Sequence, residues 1–321
     1  MCPTCYNNRD TPKNHGEIIL LKHESYPVGL QHNLGKNHQL RQAIASPQLL
    51  MVPGCFDCLT AKLVANAGFS AAYLTGSGLS MSALGAPDMG VISFAEVLER
   101  AMRIADSIDI PLICDADTGY GGPINIIRTV RDLERAGVSA VQIEDQSWPK
   151  KCGHEPGRKL VDRAEMIGRI KAAVDARVDE GLMIIARTDA RTTEGLDDAL
   201  DRAAQYREAG ADVLFIESPE SEDEMRRINQ ALDCPTLANM VEGGRTPVCP
   251  AAKLQSLGYD LAIYPNSLTR LIAFQGAELL HSLRQTGSTE SFSGKMLDHR
   301  ALWDLFDYPQ WTRLEEKFSR K

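Results

Sequence analysis

Eight short apolar runs, separated by helical patterns, constrain this chain more than any other feature. The runs fall at 49–53, 71–75, 112–115, 140–144, 183–187, 213–217, 236–239 and 261–264. Helical patterns at 94–105, 124–136, 163–178, 196–209 and 222–231 fill the intervals between many of them, and a short helix at 40–44 precedes the first. Several of these patterns close on Ala-Gly, at Ala67-Gly68, Ala136-Gly137 and Ala209-Gly210, as a helix does when it enters a short loop. Strands that alternate with helices pair in parallel. Eight such units predict an α/β fold of the (β/α)8 TIM-barrel type rather than an open doubly wound sheet. A dinucleotide fold is disfavoured, because no G-x-G-x-x-G follows the first run; Gly119-Tyr120-Gly121-Gly122 follows the third and lacks that spacing.

The bulk numbers narrow the function classes. With 43% hydrophobic and 24% charged residues in 321, the chain reads as an ordinary soluble globular protein. A net charge of −8 argues against a general nucleic-acid binder, which needs clustered Lys and Arg. No apolar run reaches the roughly 18 residues of a membrane span. The first ten residues lack the apolar core of a secretory signal, so a cytoplasmic location is expected, with the eight cysteines as thiols. Two CxxC pairs, Cys2/Cys5 and Cys55/Cys58, raise the alternative of a four-thiolate zinc site, although no turn-rich knuckle surrounds either. Residues 1–34 are polar and aperiodic and read as a flexible or loosely packed arm. Residues 35–321 read as a single barrel domain with a C-terminal helical extension. The amphipathic pieces at 302–306 and 311–318 carry Trp303 and Trp311 and need a partner surface, so they are expected to dock on another subunit.

Barrel enzymes place their chemistry at the C-terminal strand ends. There this sequence has Tyr73, Thr75, Gly76 and Ser77 on the second unit and Asp115 and Asp117 on the third. Glu144, Arg187, Glu217 and Asn239 follow on the fourth to seventh units. Residues two apart on a strand face the same way, so Asp115 and Asp117 can both point to the mouth. Together with Glu144 they offer hard oxygen ligands of the kind that suit Mg²⁺ or Mn²⁺. The alternative is that these acids cap helices or pair with Arg128 and Arg131. Arg187 can grip a carboxylate in bidentate fashion, or serve a structural ion pair with Glu217 or Asp189. The Thr75-Gly76-Ser77-Gly78 amides offer an anion cradle, and Asn239 either donates to a ligand or closes its loop.

Just past the fourth run stands Lys150-Lys151-Cys152-Gly153-His154. A thiol beside two cations and an imidazole is a candidate reactive group, since nearby cations favour the thiolate. The alternative is a buried, inert thiol.

Taken together, these segments resemble the isocitrate lyase and phosphoenolpyruvate mutase superfamily. The resemblance rests on Lys-Lys-Cys-Gly-His with Gly54, Phe56-Asp57, Tyr73–Ser77, Pro87–Gly90, Asp115–Gly121, Ile143–Gln146, Ala186–Asp189, Glu217 and Ala238–Met240, in the family's order. It covers about residues 48 to 320. It implies a barrel whose last helix is swapped between subunits of a dimer, usually within a tetramer. It also implies Mg²⁺ near Asp115, with Asp117, Glu144 and Asp88 holding metal waters. Thr75, Gly76, Ser77, Gly153, His154, Arg187 and Asn239 match substrate contacts, and Cys152 matches the catalytic thiol. The presence of Cys152 and the short chain resemble the branch that cleaves 2-methylisocitrate or 2,3-dimethylmalate. That branch implies retro-aldol cleavage of a 2-hydroxy acid, with Cys152 protonating the product carbanion and Tyr73 or Glu217 taking the hydroxyl proton. Oxaloacetate decarboxylation or hydrolysis and carboxyphosphonoenolpyruvate-type mutase chemistry are the rival activities. A non-enzymatic sensor or scaffold is disfavoured by so complete a set of polar strand ends. The chain departs from the methylisocitrate pattern at Thr75, Ser77, Glu155 and Asn266.

Overall fold

The structure, a computed structural model, describes residues 35–153, 155 and 157–319. The arm at 1–34, with Cys2 and Cys5, and His154 lie outside the described residues. Eight strands form one parallel sheet: β1 Leu50–Cys55, β2 Ala72–Leu74, β3 Leu112–Asp115, β4 Ala140–Glu144, β5 Met183–Thr188, β6 Val213–Ile216, β7 Leu237–Asn239 and β8 Leu261–Tyr264. Each strand from β1 to β5 pairs with the next in sequence, β1 also pairs with β8, and β8 pairs with β7. The remaining gap is bridged where Leu214 of β6 meets Thr236, just ahead of β7. The ring therefore closes as a (β/α)8 barrel, as the eightfold alternation predicts.

The helices are α1 Lys36–Ile44, α2 Cys58–Asn66, α3 Gly76–Leu84, α4 Phe94–Ser107, α5 Pro123–Arg135, α6 Arg163–Ala176, α7 Ala190–Thr193, α8 Leu196–Glu208, α9 Glu222–Ala231, α10 Ala251–Leu257, α11 Ser267–Thr286, α12 His299–Asp304 and α13 Tyr308–Ser319. Their starts follow local chemistry. Asp57 and Ser93 make reciprocal capping boxes with Thr60 and Glu96, and Ser221 caps α9. Pro123 opens α5 at a position where its missing N–H is not needed.

Period-two alternation divides the core in two. Leu112 and Cys114, Val141 and Ile143, and Ile184 and Ala186 join the layer between strands and helices. The intervening residues, Ile113, Ala140, Met183 and Ile185, fill the barrel interior with Tyr73, Val213, Phe215 and Leu261. Leu40 and Ile44 of α1 belong to that interior cluster and plug the barrel's lower end. The plug is fastened by Arg41, which donates to the Glu180, Gly181 and Leu182 carbonyls and to Asp212.

At the C-terminus, α11, α12 and α13 contain no buried residue. They expose Leu271, Phe274, Leu280, Trp303, Trp311 and Phe318. No helix among the described residues is long and apolar enough to cross a membrane.

Candidate active site

The inward alternation that fills the barrel with aliphatic groups turns polar at its upper end. β2 contributes Tyr73, β3 Asp115, β4 Gln142 and Glu144, β5 Arg187, and β7 Asn239, with Glu217 immediately after β6. A chamber of about 40 Å³ is lined by Tyr73, Thr75, Ser77, Asp88, Asp115, Cys152, Gly153, Arg187, Glu217 and Asn239. A larger outer cavity of about 650 Å³ shares Ser77, Asp88, Cys152, Val241 and Asn266 with it and adds Lys151, Glu155 and Arg270. Cys152 thus stands at the boundary between the two.

The acidic side is built by a turn as much as by a strand. β3 ends at Asp115, and Asp117 lies beyond it in left-handed backbone (φ 48°), its own N–H donating to Asp115 Oδ1 at 3.2 Å. Simple strand alternation does not place Asp117; the turn does. Gln142 Nε2 also donates to Asp115 Oδ1, at 3.3 Å. The Lys150 ammonium, 3% exposed, reaches into this group and pairs with Asp88 and with Asp117 Oδ1, the latter at 2.6 Å. Burial works against its charge, yet Asp117, Asp88 and Glu144 hold its pKa well above the ordinary lysine range. Burial pushes the Asp117 carboxyl up to about 6 against the pull of Lys150. Burial likewise raises Glu144 well above the usual carboxylate range, opposed by Arg187. The expected rival pairings do not form: Arg128 joins Asp132, and Arg131 donates to the Ala176 carbonyl.

Arg187 is the cation opposite. Its Nε and Nη2 donate to Asp189 at 2.9 and 3.0 Å, while Glu144 and Glu217 each stand 3.4 Å from it. Its guanidinium lies 5.1 Å from the Phe215 ring centre. The ion pair with Asp189 is therefore present, and Arg187 lines the chamber as well. Asn239 Nδ2 donates to Glu217 Oε2 at 3.0 Å, leaving its Oδ1 buried and without a hydrogen-bond partner. Burial, and then Asp115, push the Tyr73 phenol far above its ordinary pKa, so it keeps its proton.

The Thr75–Gly78 segment is the first turn of α3 rather than a loop. Thr75 is the N-cap, its hydroxyl accepting from the Gly78 N–H at 3.3 Å, and Gly76, Ser77 and Gly78 are buried. Amides at such a helix start face an anion favourably. A Cβ on Gly76 would lie 3.1 Å from Asp115 Oδ2 and 3.5 Å from Asp117 Oδ1, so this turn lies directly against the acids. Gly153 is packed still more tightly: a Cβ there would come within 2.3 Å of Arg187 Nη2 and 2.9 Å of Glu217 Cγ. Its carbonyl accepts from Ser218 Oγ at 3.2 Å.

The donor set fits a hard divalent cation. The oxygens of Asp115, Asp117, Asp88 and Glu144 face one region, Glu144 Oε1 is buried with no hydrogen-bond partner, and a lysine ammonium already sits as a positive charge among them. No three His, Cys, Asp or Glu groups converge tightly enough, among the described residues, to hold an ion by direct bonds alone. The Cys55/Cys58 pair forms no zinc cluster among the described residues. Cys55 is fully buried at the end of β1, Cys58 begins α2, and burial raises the Cys55 thiol.

Comparison with known proteins identifies the family. The phosphoenolpyruvate phosphomutase family matches residues 40–283. The chain belongs to the phosphoenolpyruvate mutase and isocitrate lyase superfamily, a group of enzymes. It is 45% identical to the 2,3-dimethylmalate lyase of Eubacterium barkeri over 88% of this chain and 97% of that protein. It is 39% identical to the 2-methylisocitrate lyase of Bacillus subtilis over 88% and 93%. Among solved structures, oxaloacetate acetylhydrolase with 3,3-difluorooxalacetate superposes with a TM-score of 0.85 at 31% identity, covering 92% of this chain and 99% of that one. Phosphonopyruvate hydrolase bound to oxalate and Mg²⁺ superposes with a TM-score of 0.80 at 29% identity, covering 89% and 99%.

One residue that enters the site was not singled out from sequence: Gln142 sits two positions before Glu144 on the same strand face, a signal that the alternation already carried. Lys150 reads from sequence as a cation favouring the Cys152 thiolate; its actual partners, Asp88 and Asp117, are distant in the chain and gave no sequence signal.

Proposed function

We propose that this protein is a Mg²⁺-dependent carbon–carbon lyase that splits a 2-hydroxy di- or tricarboxylate of the alkyl-malate or methylisocitrate type. The products are a 2-oxo acid such as pyruvate and a second carboxylate. The observation that supports this most is the position of Cys152, between a chamber holding Arg187, Glu217 and Asn239 and an outer cavity with room for the leaving part. The kinship with proteins named as lyases points the same way.

In this reading Asp115 is the direct cation ligand, and Asp117, Glu144 and Asp88 hold its waters. A Mg²⁺ bound there would supply Lewis acidity to the substrate's 2-oxygen. Arg187, Asn239 and the amides of Gly76 and Ser77, in the turn that Thr75 caps with its own N–H tied to the Cys55 carbonyl, bind and orient the carboxylate next to that carbon. Glu217 accepts the hydroxyl proton; Tyr73, which holds its own proton, donates a hydrogen bond instead. The C–O bond then becomes a carbonyl as the carbon–carbon electron pair passes to the departing fragment. The Cys152 thiol delivers a proton to that carbon. Gly153, seated on Arg187 and Glu217, closes the chamber against water, and His154 is placed beside it by sequence alone.

The test is pyruvate release from 2,3-dialkylmalates and 2-methylisocitrate with Mg²⁺, in the wild type and in Cys152→Ser. The serine variant is expected to lose turnover by about two to four orders of magnitude, the range for removing a positioned general acid, while Mg²⁺-dependent ligand binding stays intact. Full activity in the variant would sink the role of Cys152. A second reading, water-driven cleavage of oxaloacetate, is favoured by the 0.85 TM-score to oxaloacetate acetylhydrolase. Oxaloacetate consumption faster than alkyl-malate cleavage would establish it instead. For assembly we propose a homotetramer built from dimers that exchange the C-terminal helices, because α11 to α13 present apolar side chains with none buried.

A further inference from the structure

We propose that Arg158 is a positioning residue for Arg187, acting through Asp189, and that it thereby sets how strongly the site holds an incoming carboxylate. The inference rests on the reading of Arg187 as a carboxylate anchor. Arg158 lies in the same β4–α6 connection as Cys152, yet its side chain is 2% exposed and pairs with the fully buried Asp189. Its Nη1 donates to Asp189 Oδ1 at 2.5 Å and its Nη2 to Thr192 Oγ1 at 2.5 Å. The same Asp189 Oδ1 takes Arg187 Nη2 at 3.0 Å, while Oδ2 takes Arg187 Nε at 2.9 Å. One buried carboxylate is thus clamped between two guanidiniums.

Neither end of the clamp is free to drift. Asp189 is held through its backbone N–H, which donates to Asp145 Oδ1 at 3.0 Å, and Asp145 Oδ2 accepts from Thr188 Oγ1 at 2.7 Å. The backbone beside Arg158 is pinned by a Ser147 N–H bond to the Lys159 carbonyl at 2.7 Å and by the antiparallel bridge between Gln146 and Leu160.

The charge count gives this arrangement its consequence. Arg187 faces three carboxylates: Asp189, Glu144 and Glu217. Paired through two nitrogens with Asp189 and with two further carboxyl groups 3.4 Å away, Arg187 has little positive charge left over for an anionic substrate. Arg158 adds a second cation behind Asp189 and draws part of that carboxylate's charge away from Arg187. The guanidinium face toward the chamber then keeps positive potential for the substrate. A buried pair is screened little by solvent, so the effect reaches across the few ångströms between them.

Titration with oxalate in the presence of Mg²⁺ tests this independently of turnover, since oxalate has the planar dicarboxylate shape of a 2-oxo acid enolate. Arg158→Met is expected to weaken oxalate binding about tenfold. Arg158→Lys, which keeps the charge, is expected to restore it to within about threefold. In turnover, KM should rise about tenfold in Arg158→Met while kcat stays within about threefold, a split that a purely structural defect would not give. Wild-type affinity in Arg158→Met, or no rescue by Arg158→Lys, overturns the proposal. Thr192→Val removes one Arg158 contact together with the Thr192 hydroxyl bond to the Asp189 carbonyl; it should weaken oxalate in the same direction, and unchanged affinity there also counts against the idea. If the wild type binds no oxalate, the anchor role of Arg187 fails first, and this inference with it.

Discussion

Cys152 borders both cavities, while the lysine two places before it reaches away into the carboxylates and pairs with Asp88 and Asp117. The local string of cations and thiol therefore divides: Lys150 balances the acids, while Cys152 lines the cavities where the proposed reaction would take place. Spacing could suggest that a thiol and cations share a loop, but could not say which acid a flexible lysine would choose. Asp117 carries a testable consequence of that environment. Its carboxyl, pushed up to about 6 by burial, takes a proton in the metal-free protein as pH falls through that value. A bound cation requires the carboxylate, so metal binding releases that proton and is opposed by acid. Mg²⁺ affinity, measured by calorimetry, should fall by up to about tenfold per pH unit below about 6 and level off above it as far as Asp117 is concerned. A flat affinity from about pH 5 to 7 would contradict it.

Among the elements, the strands were the most legible, because buried parallel strands are short apolar runs and their polar ends announce the mouth. Asp115, Glu144, Arg187 and Asn239 could be placed that way. The start of α3 was not legible as a helix: Gly76, Ser77 and Gly78 are poor helix formers, and only the cap at Thr75 and packing against the acids make them helical. The buried clamp of Arg158, Asp189 and Arg187 was equally hidden, since it joins the β4–α6 connection to β5 through space. The β4–α6 connection has its own sharp test in Gly153. A Cβ there would meet Arg187 Nη2 at 2.3 Å, so Gly153→Ala must push the segment off the chamber or displace the guanidinium. Turnover is expected to drop by about a hundredfold or more, as small misplacements at a catalytic centre do, with the melting temperature little changed. Near-wild-type kcat/KM in this variant would mean that the contact is dispensable.

For the whole molecule, the barrel keeps its stability below and its chemistry above. The unburied α11–α13 surface lies outside that division and calls for another copy. Light scattering is expected to give four chains per particle, and Phe274→Asp, at a side chain 62% exposed here, should lower that number without loosening the barrel. A monomeric wild type would remove the assembly proposal. The α1 plug has a consequence for the order of events. With Leu40 and Ile44 sealing the lower end and aliphatic side chains filling the interior above them, a cleaved substrate must leave through the mouth it entered. In the proposed reaction the fragment next to the outer cavity would depart first and the 2-oxo acid held by Arg187 last. Sequential release of that kind is expected to make the 2-oxo acid a competitive inhibitor against substrate and the other carboxylate a noncompetitive one, so the kinetics of product inhibition would record which end of the barrel is closed.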